Sequence, residues 1–158
     1  MRDAATSVGL VTSRGTSGGY LGMAVTSWAS VSIDPPAVLV VVNRSASVHA
    51  AILQSNRFCL NLMAEIHGTL LEQFSRSEMR DARFRSTDWE EEPGGLPILK
   101  GALSSLVSAV EATSDYATHT IFVGRVERVV LVDTQKPDAS PLIWLRGSQA
   151  SLAVKPRL

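Results

Sequence analysis

The chain has 158 residues, 45% of them hydrophobic and 19% charged, and this balance excludes disordered and fibrous proteins. The length fits a single domain over residues 1–158 with one core. Fifteen basic and fifteen acidic residues cancel, so net charge attracts neither nucleic acid nor an anionic membrane, and we expect neither as a partner. An anionic ligand therefore needs local donors.

The single cysteine, Cys59, cannot form an intrachain disulfide, and no Cys/His cluster indicates a metal site. Cys59 lies in the apolar run 58–62, which predicts a buried and unreactive thiol. The start, Met1-Arg2-Asp3, has no apolar signal region, and no stretch approaches the roughly 20 apolar residues of a membrane span. We therefore expect a cytoplasmic protein.

Short segments rich in β-branched residues and bounded by Gly, Pro, Asp or Ser predict a mainly β protein with a few helices. Segment 37–42 is continuously apolar, which predicts that the strand 37–43 is covered on both faces, at a barrel centre or at a subunit interface. The predicted strands are 6–13, 20–28, 37–43, 57–63, 105–114, 119–132 and 142–145.

Two helices are predicted between these strands. Ser45 or Ser47 can cap the first of them. The apolar residues of both recur at spacings of three and four, which is typical of a helix with one buried face. They are Val48, Ala51 and Ile52 in the first helix and Ile66, Leu70 and Phe74 in the second.

The segment 76–96 mixes charges with Pro93-Gly94-Gly95, and we interpret it as a lid or linker with one helical turn around 79–83. Its acidic run 88–92 is interpreted as a solvated turn rather than a pair of catalytic carboxylates. Lys136-Pro137-Asp138 predicts a solvent turn before the last strand.

Hydroxyl side chains cluster between Gly18 and Pro36. Thr26, Ser27, Ser30 and Ser32 stand there among small and apolar residues, and together with backbone amides they suit a flat heteroaromatic ligand with polar edges. The alternative is that these hydroxyls only decorate a hairpin and a strand, where Ser and Thr are common.

A second polar stretch, Asn43 to Val48, begins where the apolar strand ends and the first helix starts. Unpaired amides at a helix N-terminus bind anions, so Arg44, Ser45 and Ser47 form a candidate phosphate cradle. An ordinary serine N-cap beside a surface arginine is the alternative.

His119 opens the longest predicted strand and is the candidate reactive residue, although a lone histidine there is more often solvated or in the core. No Gly-x-Gly-x-x-Gly follows a strand into a helix, and the glycine-rich stretch 15–19 lacks the lysine of a P-loop. No serine nucleophile elbow is present. The sequence thus offers no Rossmann, P-loop or hydrolase site.

In their order, these stretches resemble the flavin reductase-like family, the FMN-binding split-barrel reductases that serve two-component monooxygenases. Ser-Val-Ser-Ile-Asp-Pro-Pro at 30–36 and His-Thr-Ile-Phe-Val-Gly at 119–124 are specific as a pair. The closest similarity is to the FMN reductase subtype associated with pyrimidine catabolism. Further matching stretches are 2–5, 11–13, 22–27, 43–47, 58–62, 83–84, 96–97 and 141–144.

The resemblance implies a split β-barrel and gives roles to the three polar stretches. By this resemblance, Thr26, Ser27 and Trp28 line the isoalloxazine, and Ser30, Val31 and Ser32 meet the ring edge or ribityl chain. Arg44, Ser45 and Ser47 hold the phosphate, and Asn43 is a further cofactor-binding residue. His119 contacts the nicotinamide or the exposed side of the flavin. The chain departs from the family at Ala117-Thr118, where Gly-Asp is common, and at Gln149, where many members have Tyr.

The implied activity is NAD(P)H-dependent reduction of FMN or FAD, in a homodimer with flavin sites near the subunit interface and a monooxygenase as partner. Two alternatives are a flavin-binding carrier or sensor, and an oxidase similar to pyridoxamine-phosphate oxidase. The oxidase needs a basic substrate pocket, for which Arg83 and Arg125 are candidates. Candidate cations for the 2′-phosphate of NADPH are Arg14, Arg80, Arg83 and Arg85.

Overall fold

The computed structural model describes residues 2–131 and 139–153, and about half of these residues belong to antiparallel β-strands. The predicted turn 136–138 and the end of predicted strand 119–132 lie outside the described residues. The strands are β1 (Thr6–Ser7), β2 (Gly9–Arg14), β3 (Tyr20–Val25), β4 (Trp28–Ile33), β5 (Pro36–Asn43), β6 (Arg57–Leu62), β7 (Trp89–Glu91), β8 (Pro97–Leu99), β9 (Ser104–Tyr116), β10 (His119–Leu131), β11 (Ile143–Leu145) and β12 (Ser148–Ala150).

Seven strands form the main sheet in the order β3-β2-β6-β9-β10-β5-β4. Its two edge strands, β3 and β4, are joined only by Thr26 and Ser27, a link of about 10 Å when extended. The Val41 amide donates to the Ser27 carbonyl at 2.9 Å. The end of β3 therefore lies beside the start of β4, although the two edge strands do not pair with each other, and the sheet curls into a split barrel, which confirms the predicted fold class.

Every second side chain of β5 points into the barrel and helps to fill it. Val38, Val40 and Val42 point inward against Phe58 and Phe122. Leu39 and Val41, on the opposite face, are only half-buried. Within this chain β5 is thus covered on one face, and its second apolar face is partly open to solvent.

Both predicted helices are present. Helix α1 (Ser47–Ser55) directs Val48 and Ile52 into the barrel core, and α2 (Gly68–Ser75) packs Leu70 and Phe74 on its outside. Ile66, predicted to share the α2 face, lies in a preceding 3-10 turn and is 78% exposed. A 3-10 helix has fewer residues per turn than an α-helix, so Ile66 is rotated away from the face that Leu70 and Phe74 bury.

The segment 76–96 is a packed part of the body, which corrects its interpretation as a lid or linker. It contains a 3-10 helix (Ser77–Ala82) and the β7–β8 hairpin. Arg83 is buried, and its guanidinium donates to the carbonyls of Gln73 at 3.0 Å, Arg76 at 3.1 Å and Gly22 at 3.4 Å. Burial, followed by the charge of Arg80, lowers the pKa of Arg83. Arg83 therefore ties the end of α2 to β3.

Strands β4, β7, β8 and β12 were not predicted as separate elements. Three of them have three residues, too few to show a period. Strand β4 has Ala and Ser at positions where a buried strand has large apolar residues. It can do so because it is an edge strand with an exposed surface, and the usual strand pattern is therefore weak in its sequence.

Cys59 is fully buried, as predicted, and burial raises the pKa of its thiol to about 12. The neighbouring Asn61 is also fully buried. Its amide donates to the Leu10 carbonyl, and its oxygen accepts from the Leu99 amide at 2.9 Å and the Ser105 hydroxyl at 2.7 Å. One satisfied side chain thus links β2, β8 and β9.

Glu92 corrects the interpretation of 88–92 as a solvated turn, because its side chain is only 3% exposed. It accepts hydrogen bonds from Arg57 at 3.3 Å, Arg128 at 2.8 Å and the Leu96 amide at 3.2 Å. Burial raises the pKa of Glu92, but amide bonds from Gly94 and Leu96 and the two arginines outweigh it, and the net pKa is lowered from 4.5. Glu92 is therefore charged in the folded protein at neutral pH.

Replacing Glu92 with Gln should lower the free energy of unfolding at pH 7 by about 1.5–3 kcal/mol, because charge-assisted hydrogen bonds are lost. A depressed folded pKa stabilises the protein above the unfolded value of 4.5, and the gain disappears as the pH falls through the folded pKa. Urea unfolding should therefore show that the difference in the free energy of unfolding between wild type and variant becomes smaller below pH 4.5. The exposed Glu90→Gln is the control, and a difference that widens in acid would contradict this account.

Gly124 on β10 lies against the ring of Phe58 in the barrel core. A Cβ at this position would be 2.6 Å from two ring carbons of Phe58 and 2.9 Å from the Cβ of Ser108. Gly124→Ala should therefore cost about 1–3 kcal/mol of stability through overpacking. In the control Gly19→Ala, the new Cβ has 4.0 Å to its nearest neighbour. Equal urea midpoints for the two variants would show that the Phe58 contact is not tight.

Candidate active site

An open cleft of about 520 Å³ lies at the corner where β3 passes into β4. The hydroxyl residues Thr26 and Ser27 line it, together with the indole of Trp144. Arg2 and Arg146 stand at the same cleft, and Arg146 pairs with Asp3 at 2.7 Å. The remaining lining residues are Ala4, Thr6 and Gly147. The corner thus joins hydroxyls, an aromatic surface and cations.

Trp28, the next predicted residue, is turned toward the barrel. Its indole N–H donates to the Ser7 carbonyl at 3.1 Å, and its ring packs against the interior cluster. Trp28 therefore fixes the corner in place, and its polar atom is already used within the chain.

Ser30, Val31 and Ser32 lie on β4, the outermost strand of the main sheet. The pairing of β4 with β5 shifts between Ser30 and Ser32, so Val31 forms a bulge and is 48% exposed. An edge strand has backbone donors and acceptors without strand partners on its outer side. These residues therefore offer backbone groups as well as hydroxyls.

The loop after β5 is closed by Asn43. Its side-chain oxygen accepts from the Ser45 amide at 2.9 Å and from the Ser45 hydroxyl at 2.8 Å. Ala46 is the N-cap of α1 and makes no side-chain cap bond. The prediction that Ser45 or Ser47 caps the helix is wrong, because Asn43 holds Ser45 in the preceding turn. The first amides of α1 keep their capacity to bind an anion.

Arg44 attaches this loop to the β9–β10 hairpin. Its amide donates to the Thr118 carbonyl at 2.9 Å, and its guanidinium donates to the Ala117 carbonyl. A guanidinium nitrogen lies 3.7 Å from a carboxylate oxygen of Asp115. With a side chain 48% exposed, Arg44 is both fixed by the hairpin and open to a ligand.

His119 lies directly beside this loop. In the sheet it pairs with Asn43 of β5 and with Tyr116 of β9, and its Nδ1 is 2.9 Å from the Thr118 hydroxyl. Alternation places His119 on the outer face of the barrel, with Val41 and Ile121. The imidazole is half-buried there and remains accessible.

The predicted residues gather mainly at one end of β5. Ser27 bonds to Val41 and His119 pairs with Asn43, so the corner, the loop and the histidine lie close together. Ser32 pairs with Ala37, six residues from Asn43, or about 20 Å along an extended strand. The β4 hydroxyls therefore extend away from the loop.

Several candidate cations are engaged elsewhere. Arg83 is buried against carbonyls, Arg14 contacts Glu91 at 3.4 Å, and Arg125 pairs with Glu111 at 2.6 Å. These positions do not make the basic pocket that an oxidase of phosphorylated substrates needs. Among the described residues, no group of three or more His, Cys, Asp or Glu side chains is placed to hold a metal ion, and no helix is long and apolar enough to cross a membrane.

Sequence reasoning missed the roles of Arg2, Trp144 and Arg146 in the cleft. Strands β1 and β11 pair Thr6 with Trp144, and this pairing brings together two segments that are far apart in the sequence. Arg146 has a positive φ of 54° and lies with Gly147 in a turn after β11. In the sequence, Gly147 could have indicated that turn, but nothing local indicates that Arg146 lines the cleft.

Residues 1–153 match the family model of the flavin reductase like domain. The chain therefore belongs to the flavin reductase-like family, and the family predicted from the sequence is confirmed. FMN reductase (NADH) RutF 2 of Methylorubrum extorquens is 34% identical over 127 residues, which cover 80% of this chain and 73% of that protein.

The reductase component of an FADH(2)-dependent resorcinol hydroxylase from a Rhizobium species is 31% identical over 116 residues. These cover 73% of this chain and 65% of that protein. Among solved structures, nitrilotriacetate monooxygenase component B from Mycobacterium thermoresistibile superposes with a TM-score of 0.88 at 28% identity. That alignment covers 99% of this chain and 86% of the other.

Proposed function

We propose that this chain is an NAD(P)H-dependent flavin reductase, which moves a hydride from C4 of the nicotinamide to N5 of FMN or FAD and supplies reduced flavin to a monooxygenase. Family membership and the names of the relatives support the enzyme class, the flavin and the nicotinamide nucleotide predicted from the sequence. The observation that carries the proposal is the position of His119 beside Asn43 and the uncapped first turn of α1.

The site fits a phosphorylated flavin. The first turn of α1 has no side-chain cap, and Arg44, whose side chain is 48% exposed, lies three residues before the helix in the chain, so both can donate to phosphate oxygens. The hydroxyls of Thr26 and Ser27 and the edge of β4 can bind the polar edges of the ring system. Asn43 contributes indirectly by holding Ser45 in its turn.

Hydride transfer between nicotinamide and flavin is chemistry that the two cofactors supply when they are bound. The residues of the chain orient the reacting atoms and exclude water, which needs no strong acid or base. His119 contacts the nicotinamide or the exposed side of the flavin, with its ring orientation set through Nδ1 by Thr118. Thr118 thus supports the imidazole at the position where the family commonly has Asp.

The proposal includes a homodimer in the cytoplasm. Half-buried apolar residues on the outer faces of β5 and β10 form a continuous surface next to His119: Leu39, Val41, Ile121 and Val123. A second copy of the chain would cover this surface and explain why both faces of β5 are apolar. The match over residues 1–153 supports a single flavin reductase-like domain.

Anaerobic protein mixed with free FMN or FAD and excess NADH or NADPH should bleach the flavin absorbance at about 450 nm. The control mixture lacks protein. Tight flavin binding without bleaching by either nucleotide would instead identify a carrier or sensor. Absence of both binding and bleaching would exclude the proposed function.

His119→Ala should lower kcat/KM for the nicotinamide nucleotide by about tenfold to a hundredfold, while the Kd for FMN changes less than about twofold. The physical reason is that the imidazole contacts the reacting ring and not the phosphate. Stopped-flow reduction and fluorescence titration measure the two quantities. Thr113→Ala, an exposed change on the same hairpin, is the control. Equal losses of turnover and flavin binding would mean that His119 is structural.

A further inference from the structure

A chain of polar contacts runs from the interior of the protein to the Arg44 guanidinium. Nε2 of His49, on α1, lies 2.8 Å from the Thr120 hydroxyl. The Thr120 hydroxyl donates to a carboxylate oxygen of Asp115 at 2.5 Å. The other Asp115 oxygen lies 3.7 Å from Arg44. Two buried residues are thereby linked to an arginine that faces solvent.

The direction of these bonds follows from their chemistry. A carboxylate only accepts, so Thr120 gives its one hydroxyl proton to Asp115. Nε2 of His49 must then donate to Thr120, which fixes the tautomer of His49. Thr120 is 2% exposed, and the His49 ring packs edge-on against Phe122 with centroids 5.4 Å apart. The inner end of the chain of contacts is therefore rigid.

The outer end is exposed and would be mobile without this support. The Asp115 side chain is 62% exposed and that of Arg44 is 48% exposed, and an ion pair between such groups stabilises little by itself. The Thr120 hydroxyl restricts Asp115 to one orientation, and Asp115 with the Ala117 carbonyl then restricts Arg44. A fixed guanidinium loses less conformational entropy when it binds an anion.

We infer that Thr120 is a positioning residue for recognition of the flavin phosphate, because it holds Asp115 in the orientation that fixes Arg44. This rests on the proposed function, in which Arg44 binds the phosphate. Thr120 acts on the inner face of β10, opposite the face that carries His119. Its effect should therefore fall on the phosphate and not on hydride transfer.

Riboflavin has the ring system of FMN without the phosphate, so the ratio of kcat/KM for FMN to that for riboflavin isolates the phosphate contact. Thr120→Val keeps the shape of the side chain and removes the hydroxyl. It should lower this ratio by about threefold to tenfold through KM for FMN, with kcat and the riboflavin values unchanged. Thr120→Ser keeps the hydroxyl and should restore the ratio. Thr113→Val, an exposed change on the same hairpin, is the matched control.

Asp115→Glu provides a second variant at an exposed position where folding is not at risk. It keeps the charge and displaces the carboxylate by one methylene, so a positioning role again predicts a lower ratio. In an Arg44→Ala background, Thr120→Val should lower the ratio no further, because both changes remove the same contact.

An unchanged ratio in folded Thr120→Val and Asp115→Glu would overturn the inference, as would an additive loss in the Arg44→Ala background. If the wild type reduces FMN and riboflavin equally well, the phosphate makes no useful contact and this inference is wrong, although the reductase activity itself is still supported. Wild type that reduces neither flavin would overturn the proposed function itself, and the inference with it.

Discussion

Thr26 and Ser27 are all that separates the two edge strands of a seven-stranded sheet, and so short a link holds the end of β3 beside the start of β4. The sheet must curl into a barrel, and the corner that closes it is held by the Ser27–Val41 hydrogen bond and by the Trp28 indole. The other parts of the candidate site depend on this closure. It places hydroxyls of the corner near the end of β5, where the candidate phosphate-binding loop starts.

The β9–β10 hairpin supplies the second half of the site because its tip reaches the same end of β5. The pairing of His119 with Asn43 and the bonds from Arg44 to residues 117 and 118 join loop and hairpin into one unit. Thr120 supports this unit from inside, and His119 is presented on the outside. In the proposed function, Thr120, which supports the phosphate-binding Arg44, and His119, which contacts the reacting rings, lie on opposite faces of one strand.

Buried polar groups stabilise the body that carries the site. Glu92 is held by two arginines and backbone amides, Asn61 links three strands, and Arg83 binds the carbonyls at the end of α2. Each of these residues lies in a segment whose local sequence is typical of a polar loop or an ordinary strand. Their burial depends on partners 30 or more residues away in the cases of Glu92 and Asn61. Local patterning contains no such information.

The sequence alone determined the strands that alternate or are continuously apolar, the helix that follows β5, the burial of Cys59 and the family, because these depend on residue type and spacing within short windows. The positions of Thr26, Ser27, Asn43, Arg44 and His119 as candidates also came from sequence. Only the tertiary structure decided that Ser45 is held by Asn43 instead of capping α1, that segment 76–96 is packed, and that Arg2 and Trp144 share a cleft. The packing of 76–96 and the shared cleft arise from strand pairing and burial between distant parts of the chain, which spacing along the sequence does not encode. The Asn43–Ser45 contact is local, but Ser45 can either bond to Asn43 or cap α1, and residue type alone does not choose between the two.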